Sequence, residues 1–277
     1  MSESHSRIQV GSASVAYVES GRGESVVLLH GGESSKRQYD LFAPLLGEGI
    51  RAISYDQRDV GDTVNGPEPY TMATLAEDCA GLIDALGCRR AHLVGASLGG
   101  AIAMNVALDH PGRVASLTLI SAPPTVEEAP GGVAEKVMAM SPGERAKFML
   151  DAVISPEGRR REPELVEQVQ ALLGAGGIGE RRRDAIRTHD CVDRLHEIGA
   201  PTLVLNGTDD PLMPASTAES VAERIPGAVL ELLEGGRHGL TLEQREVTAG
   251  LVRRFVLKHA FAGITVSGGS RSAGEKS

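Results

Sequence analysis

The pentapeptide "GASLG", Gly95 to Gly99, sets Ser97 between glycines where the apolar run "AHLV" gives way to "LGGAIAMNVALDH". The first run reads as a buried strand and the second as a helix, so Ser97 stands at a strand-to-helix junction. A backbone that turns this sharply is strained and tolerates only small neighbours, which Gly95, Ala96, Gly99 and Gly100 are. The helix behind the serine aims free N–H groups and its positive dipole end at any charge forming there. Such a serine becomes a nucleophile only with a base to take its proton and a third group to orient that base. Of eight histidines, His238 lies in "EGGRHGLTLEQ", a glycine-bracketed loop between the last strand-like run and a helix. From there it can reach the C-terminal edge of a sheet, where open α/β sheets bind ligands. His30 ends a strand, His92 begins one and His110 precedes Pro111, each an ordinary structural place. "TLVLNGTDDPLMP" offers two acids at a strand end, Asp209 and Asp210. Acyl transfer also needs donors to an oxyanion: the N–H of Leu98, directly after Ser97, and the N–H of Gly32 in "LLHGGESS".

Positioning these groups takes a sheet. "RIQVGSASVAYVES" reads as a hairpin turning near Gly11 and Ser12. "SVVLLH", "RAISYD", "RAHLVGA", "VASLTLISA", "PTLVLNG" and "AVLELLEGG" are apolar runs of the kind that is buried on both faces. Between them lie helical periods, clearest in "TMATLAEDCAGLIDALG". There Leu75, Cys79, Leu82, Ile83 and Leu86 share a face, Thr71 can cap the start and Gly87 close the end. Strands alternating with helices imply an α/β architecture, a mostly parallel sheet covered on both faces.

The alternation breaks between residues 123 and 198, where helix-like stretches run without a convincing strand. We read 1–122 and 199–262 as one core, 123–198 as a helical cap inserted over the sheet, and the Gly- and Ser-rich 263–277 as a disordered tail. Met138, Met140, Phe148 and Met149 are candidates for a pocket wall under that cap. The tracts Arg159–Arg161 and Arg181–Arg183 invite an anion-binding reading. The segment holds 11 Lys and Arg against 14 Asp and Glu, however, so solvated helix faces are expected.

A net charge of −9 gives no electrostatic reason to expect nucleic acid or an anionic membrane as partner, which leaves a small-molecule substrate. With 3% aromatic residues and no Trp, any pocket is walled by aliphatic side chains. Three widely spaced cysteines, Cys79, Cys88 and Cys191, form no zinc pattern and are expected to be reduced and buried. No signal-peptide-like start and no membrane-span-length apolar run appears, so the expected location is cytoplasmic. Nothing in the chain sets an oligomeric state.

With "LLHGG", "YDQRDVGDT", "LVGASLGG", "LDHPGRVASLTLIS", "PTLVLNGTDDPLMP" and "EGGRHGL" in this order, the chain resembles the α/β-hydrolase superfamily over residues 8 to 260. The resemblance implies an eight-stranded sheet, a helical cap after the sixth strand and a catalytic triad that needs no cofactor and no metal. It also implies the pattern Gly-x-x-Asp-x-x-x-Pro, which Gly207, Asp210 and Pro214 match, so Asp210 is expected as the triad acid beside Ser97 and His238. In "YDQRDVGDT" many members have Gly in place of Asp59 and a small residue in place of Asp62. Asp59 is similar in this respect to aclacinomycin methylesterases, which act on polyketide methyl esters; Asp also tolerates a left-handed backbone. The expected activity is hydrolysis of a carboxylic ester or lactone of a small to medium apolar substrate through an acyl-enzyme. Carbon–carbon bond hydrolysis and cofactor-free perhydrolase (haloperoxidase) chemistry are related alternatives, and a non-catalytic ligand-binding protein is the alternative from another class.

Overall fold

A computed structural model describes residues 6–126, 136–137, 139–173 and 179–260. Eight strands form one sheet in the order β1-β2-β4-β3-β5-β6-β7-β8. They are β1 (Ser6–Val10), β2 (Ala13–Gly21), β3 (Gly23–Leu29), β4 (Gly49–Tyr55), β5 (Ala91–Ala96), β6 (Val114–Ile120), β7 (Thr202–Gly207) and β8 (Val229–Leu233). β1 and β2, and β2 and β4, pair antiparallel; every other pair is parallel. The first turn is where the hairpin requires it, with Gly11 at φ 53°.

The helices of the core are α1 (Met72–Ala85), α2 (Leu98–Asp109), α7 (Ala215–Arg224) and α8 (Arg245–Lys258). α1 begins at Thr71 with a reciprocal capping box to Thr74, and Gly87 at φ 72° lets the chain turn away after it. Alternate residues of one strand serve opposite layers. Val27 and Leu29 of β3 pack with Leu82, Ile102 and Val221 from α1, α2 and α7. Val26 and Leu28 pack with Phe42, Val252 and Val256 on the other face, under α8. This period of two is what a doubly covered sheet demands of its strands. β8 departs from that expectation: it is the edge strand, and Val229 and Leu232 are exposed.

Between β6 and β7 the chain makes α3 (Pro142–Val153), α4 (Pro156–Arg161), α5 (Pro163–Leu173) and α6 (Glu180–Arg187). The excursion has a closed neck: Thr125 bridges Asp190, and the Cys191 N–H donates to Pro124 O at 2.9 Å. Val153, Ile154, Leu165 and Val169 form a small core of their own that reaches the main body through Leu242. None of the three cysteines forms a disulfide; Cys79 and Cys191 are buried and Cys88 is half-buried. No helix among the described residues is long and apolar enough to cross a membrane. The tail read from 263 onward lies outside the described residues.

Candidate active site

β5 ends at Ala96 and α2 begins at Leu98, so Ser97 alone makes the turn, at φ 52° and ψ −121°. Its N–H donates to Ile120 O at 2.8 Å, which ties the turn to β6. The side chain makes no capping bond to the helix, so the hydroxyl is not spent on helix initiation. Gly99 explains part of the motif: a Cβ there would run into the carbonyl oxygens of Leu29 and His30. Packing α2 against β3 this closely requires glycine.

Asp210 lies just past β7, with a fully buried side chain. One carboxylate oxygen accepts the Leu212 and Met213 N–H groups, each at 2.9 Å. The other meets His238 Nδ1 at 2.9 Å. Burial opposes ionisation of this carboxyl, but His238 and the Met213 N–H outweigh it and hold it below the ordinary carboxylate range. Asp209 is exposed and, among the described residues, its carboxylate has only the neighbouring Thr208 hydroxyl at 3.3 Å. The loops that carry Asp210 and His238 meet backbone to backbone: Asp209 N–H donates to Gly236 O at 2.9 Å, and a Cβ on Gly207 would strike that same carbonyl. His238 is fixed from the other side by the insertion, its N–H donating to Ala152 O of α3 at 3.0 Å.

Gly32 and Leu98 line one chamber with Ser97 and His238. Leu98 opens α2, where first-turn N–H groups have no intrahelical acceptor. The Gly32 loop is pinned on both sides: Gly31 N–H donates to Gln38 Oε1 at 3.0 Å, and Gly32 O accepts Arg182 Nε at 3.3 Å. Beneath it, His30 Nε2 accepts the Gln57 N–H at 3.3 Å, which leaves the proton on Nδ1 for Gly31 O at 2.8 Å. Burial, with the nearby Arg182 charge, brings the His30 pKa down to about 3, so it is a neutral strut.

Two chambers meet at Ser97 and His238. The larger, about 180 Å³, is walled by residues such as Pro123, Val137, Met149, Ile186 and Met213. The smaller, about 70 Å³, is walled by Val153, Val169, Leu172, Leu173 and Leu242. Of the four side chains expected as wall, Met149 lines both chambers, Met140 and Phe148 line neither, and Met138 lies outside the described residues.

The arginine tract of α6 does not behave as a solvated face, which corrects the reading from composition. Arg182 is buried and donates to Gly32 O, Arg58 O and Gln57 Oε1. Arg181 pairs with Asp59 and donates to Gly66 O at 2.6 Å. Arg183 lines the larger chamber. Net charge averages over a segment, whereas the helical period turns each arginine to a different surroundings. Arg160 and Arg161, in contrast, are exposed as expected. The two departures in "YDQRDVGDT" gain physical reasons here. Asp59 takes a left-handed backbone, φ 62°, and receives Arg181; Asp62 pairs with Lys36 at 2.7 Å, beside Asp56 on the same ammonium at 2.6 Å.

Glu33, Arg145, Arg183 and His189 also line the larger chamber and were not singled out from sequence as site residues. Burial pushes the Glu33 carboxyl above its ordinary value, opposed by Arg145 at 3.2 Å. His189 is pushed below its ordinary value by burial, although Pro123 O and Asp190 favour its cation. For Arg183 the arginine tract was one signal, and its spacing from Ile186, three apart on one helix face, was another.

A sequence profile of the Alpha/beta hydrolase family matches residues 26–251. The chain belongs to that family. Among curated relatives of this hydrolase, a non-heme chloroperoxidase of Streptomyces lividans is 35% identical over 246 residues, 81% of this chain and 88% of that protein. A poly(3-hydroxyalkanoate) depolymerase of Ectopseudomonas oleovorans is 31% identical over 221 residues, 78% of each. In solved structures, a thermophilic esterase from Thermogutta terrifontis superposes with a TM-score of 0.81 at 26% identity, covering 93% of this chain and 100% of the other.

Arg182 makes a prediction about how the insertion holds the site. Arg182→Met keeps the volume but leaves three carbonyl-type acceptors without their donor in a buried place. The expected loss is about 3 kcal/mol of stability, a fall in Tm of roughly 6–12 °C. Thermal denaturation measures it, and a Tm unchanged within 2 °C, roughly half a kcal/mol, would show the guanidinium is not a tether.

Proposed function

We propose that this hydrolase cleaves a carboxylic ester or lactone through an acyl-enzyme on Ser97. The observation that carries the reading is the hydrogen bond of His238 Nδ1 to the ionised Asp210 at the edge of the chamber that Ser97 lines. With its proton on Nδ1, the imidazole keeps a lone pair on Nε2 to take the Ser97 proton. Ser97 Oγ bonds to the carbonyl carbon and the C=O electron pair moves onto oxygen, where the Gly32 and Leu98 N–H groups stabilise it. As the C=O re-forms, the alkoxide leaves and takes the proton from His238. Water, deprotonated by His238, then attacks the acyl-enzyme and frees the acid and the serine.

An ester has two arms, and the two chambers give each a place; their walls favour substrates that are apolar over most of their surface. The likeness to a depolymerase and an esterase supports the same reading. The test is turnover of aryl esters from acetate to decanoate and of simple lactones, with a pre-steady-state burst from acyl-enzyme formation. A protein that only binds ligands turns over none.

Met149, which lines both chambers, is expected to read chain length. Met149→Ala should change the ratio of kcat/KM between long and short acyl chains about tenfold. Loss that is uniform across the series would overturn this.

A second reading, perhydrolysis, has one observation in its favour, the 35% identity to a chloroperoxidase. Hydrogen peroxide would replace water at the acyl-enzyme and leave as peracid. Peracid formed from acetate and peroxide faster than ester hydrolysis would decide for it.

A further inference from the structure

α6 carries four arginines, and three are accounted for by partners on the protein. Arg181 has Asp59, Arg187 has Asp184 at 3.1 Å, and Arg182 has its three acceptors. Arg183 is half-buried in the wall of the larger chamber and has no hydrogen-bond or ion-pair partner for its guanidinium among the described residues. Among the described residues, the other charges of that wall cancel. Glu33 and Arg145 form a pair at 3.2 Å, and His189, buried, titrates below its ordinary value and is neutral at pH 7. Among the described residues, the chamber therefore holds one uncompensated positive charge in the wall that Ser97 and His238 also line, a wall that is otherwise mostly aliphatic.

We propose that Arg183 recognises a carboxylate on the substrate, so that the site takes an apolar ester or lactone bearing one acidic group on the arm that enters the larger chamber. The inference rests on the chambers being the substrate site of the hydrolase, as proposed above. A guanidinium fork matches a carboxylate with two parallel hydrogen bonds. Apolar walls weaken solvent screening, so this contact is stronger than the same pair on an open surface. A single guanidinium in a mostly aliphatic wall suits a monoanion better than a phosphate dianion. Selection is local, because a chain of net charge −9 does not attract anions from a distance.

The measurement is a ligand-observed NMR titration of hexanoate and its neutral isostere hexanamide into the full-length protein. Hexanoate is expected to bind the wild type about tenfold tighter than hexanamide. In Arg183→Gln the two should bind equally, and Arg183→Lys should recover part of the preference, while thermal denaturation confirms that each variant is folded. Equal binding to the wild type, or a preference that survives Arg183→Gln, would overturn the proposal. So would a preference lost in Arg145→Gln and kept in Arg183→Gln. A second arm compares kcat/KM for a 4-nitrophenyl hexanoate and the 4-nitrophenyl monoester of adipic acid. If neither ester turns over while the hexanoate preference stands, the ester-hydrolase reading fails and the carboxylate site remains.

Discussion

Ser97→Ala is expected to lower kcat on an activated ester by about 10⁵- to 10⁶-fold, leaving the residue of catalysis that oxyanion donors and binding supply without a nucleophile. A serine-directed phosphonate should add its mass to the peptide containing Ser97 in the wild type and to nothing in the variant. Labelling that persists in Ser97→Ala would move the nucleophile elsewhere. The same position makes a second, opposite claim about stability. Ser97 is held at φ 52°, where a side chain is strained by about 1–3 kcal/mol and glycine is not. Ser97→Gly should therefore melt several degrees above Ser97→Ala, roughly 2–4 °C for each kcal/mol of strain released. A Gly variant no more stable than the Ala variant would mean that the turn is not strained. A Gly variant that melts higher would mean that stability is given up to hold this one hydroxyl at the turn.

Asp210→Asn is expected to lower kcat by up to ~10⁴-fold, whereas Asp209→Asn should cost mainly stability, within about 1 kcal/mol. The asymmetry follows from the bonds each acid makes. Asp210 Oδ1 is occupied by two backbone N–H groups and Oδ2 by His238 Nδ1. An amide can keep its oxygen on the N–H pair only by turning its NH₂ toward Nδ1. That favours the imidazole tautomer with the proton on Nε2, which cannot accept the proton of Ser97. Among the described residues Asp209 has no such partner to misdirect. Catalysis lost in Asp209→Asn and kept in Asp210→Asn would reverse the assignment.

The depressed pKa of Asp210 also carries a pH signature. Its carboxylate contributes stability that is fully present above the unfolded value near ~3.9 and is lost as pH falls through the lower folded value. The stability gap between wild type and Asp210→Asn should then narrow in acid, as pH falls below about 5, roughly one unit above that value. A gap that widens below pH 4, on that same scale, would contradict the sign.

How much of this was legible in the chain differs by element. The parallel sheet was written in apolar runs of strand length, because a strand buried on both faces has no polar side to alternate. Ser97 was legible because an elbow of this kind needs several small residues in consecutive positions, which is a local requirement. His238 followed from its glycine-bracketed loop, and Asp210 could be separated from Asp209 only by the resemblance, since both sit at the same strand end. The meeting of Gly207 with the Gly236 carbonyl, which brings the Asp210 and His238 loops together, joins positions 29 apart. No local pattern encodes that contact. The edge position of β8 was equally hidden, because strand order is decided by pairing across the chain and not by the strand's own residues.

The clearest division runs through α6. By itself the sequence determined that Arg181, Arg182 and Arg183 lie on a helix. Tertiary structure alone assigned one to Asp59, one to the buried underside of the Gly32 loop and one to the chamber wall. The physical reason is that consecutive helical residues point about 100° apart, so their surroundings depend on what packs against each side of the helix, and those neighbours come from the loop after β3, the loop after β4 and the neck of the insertion.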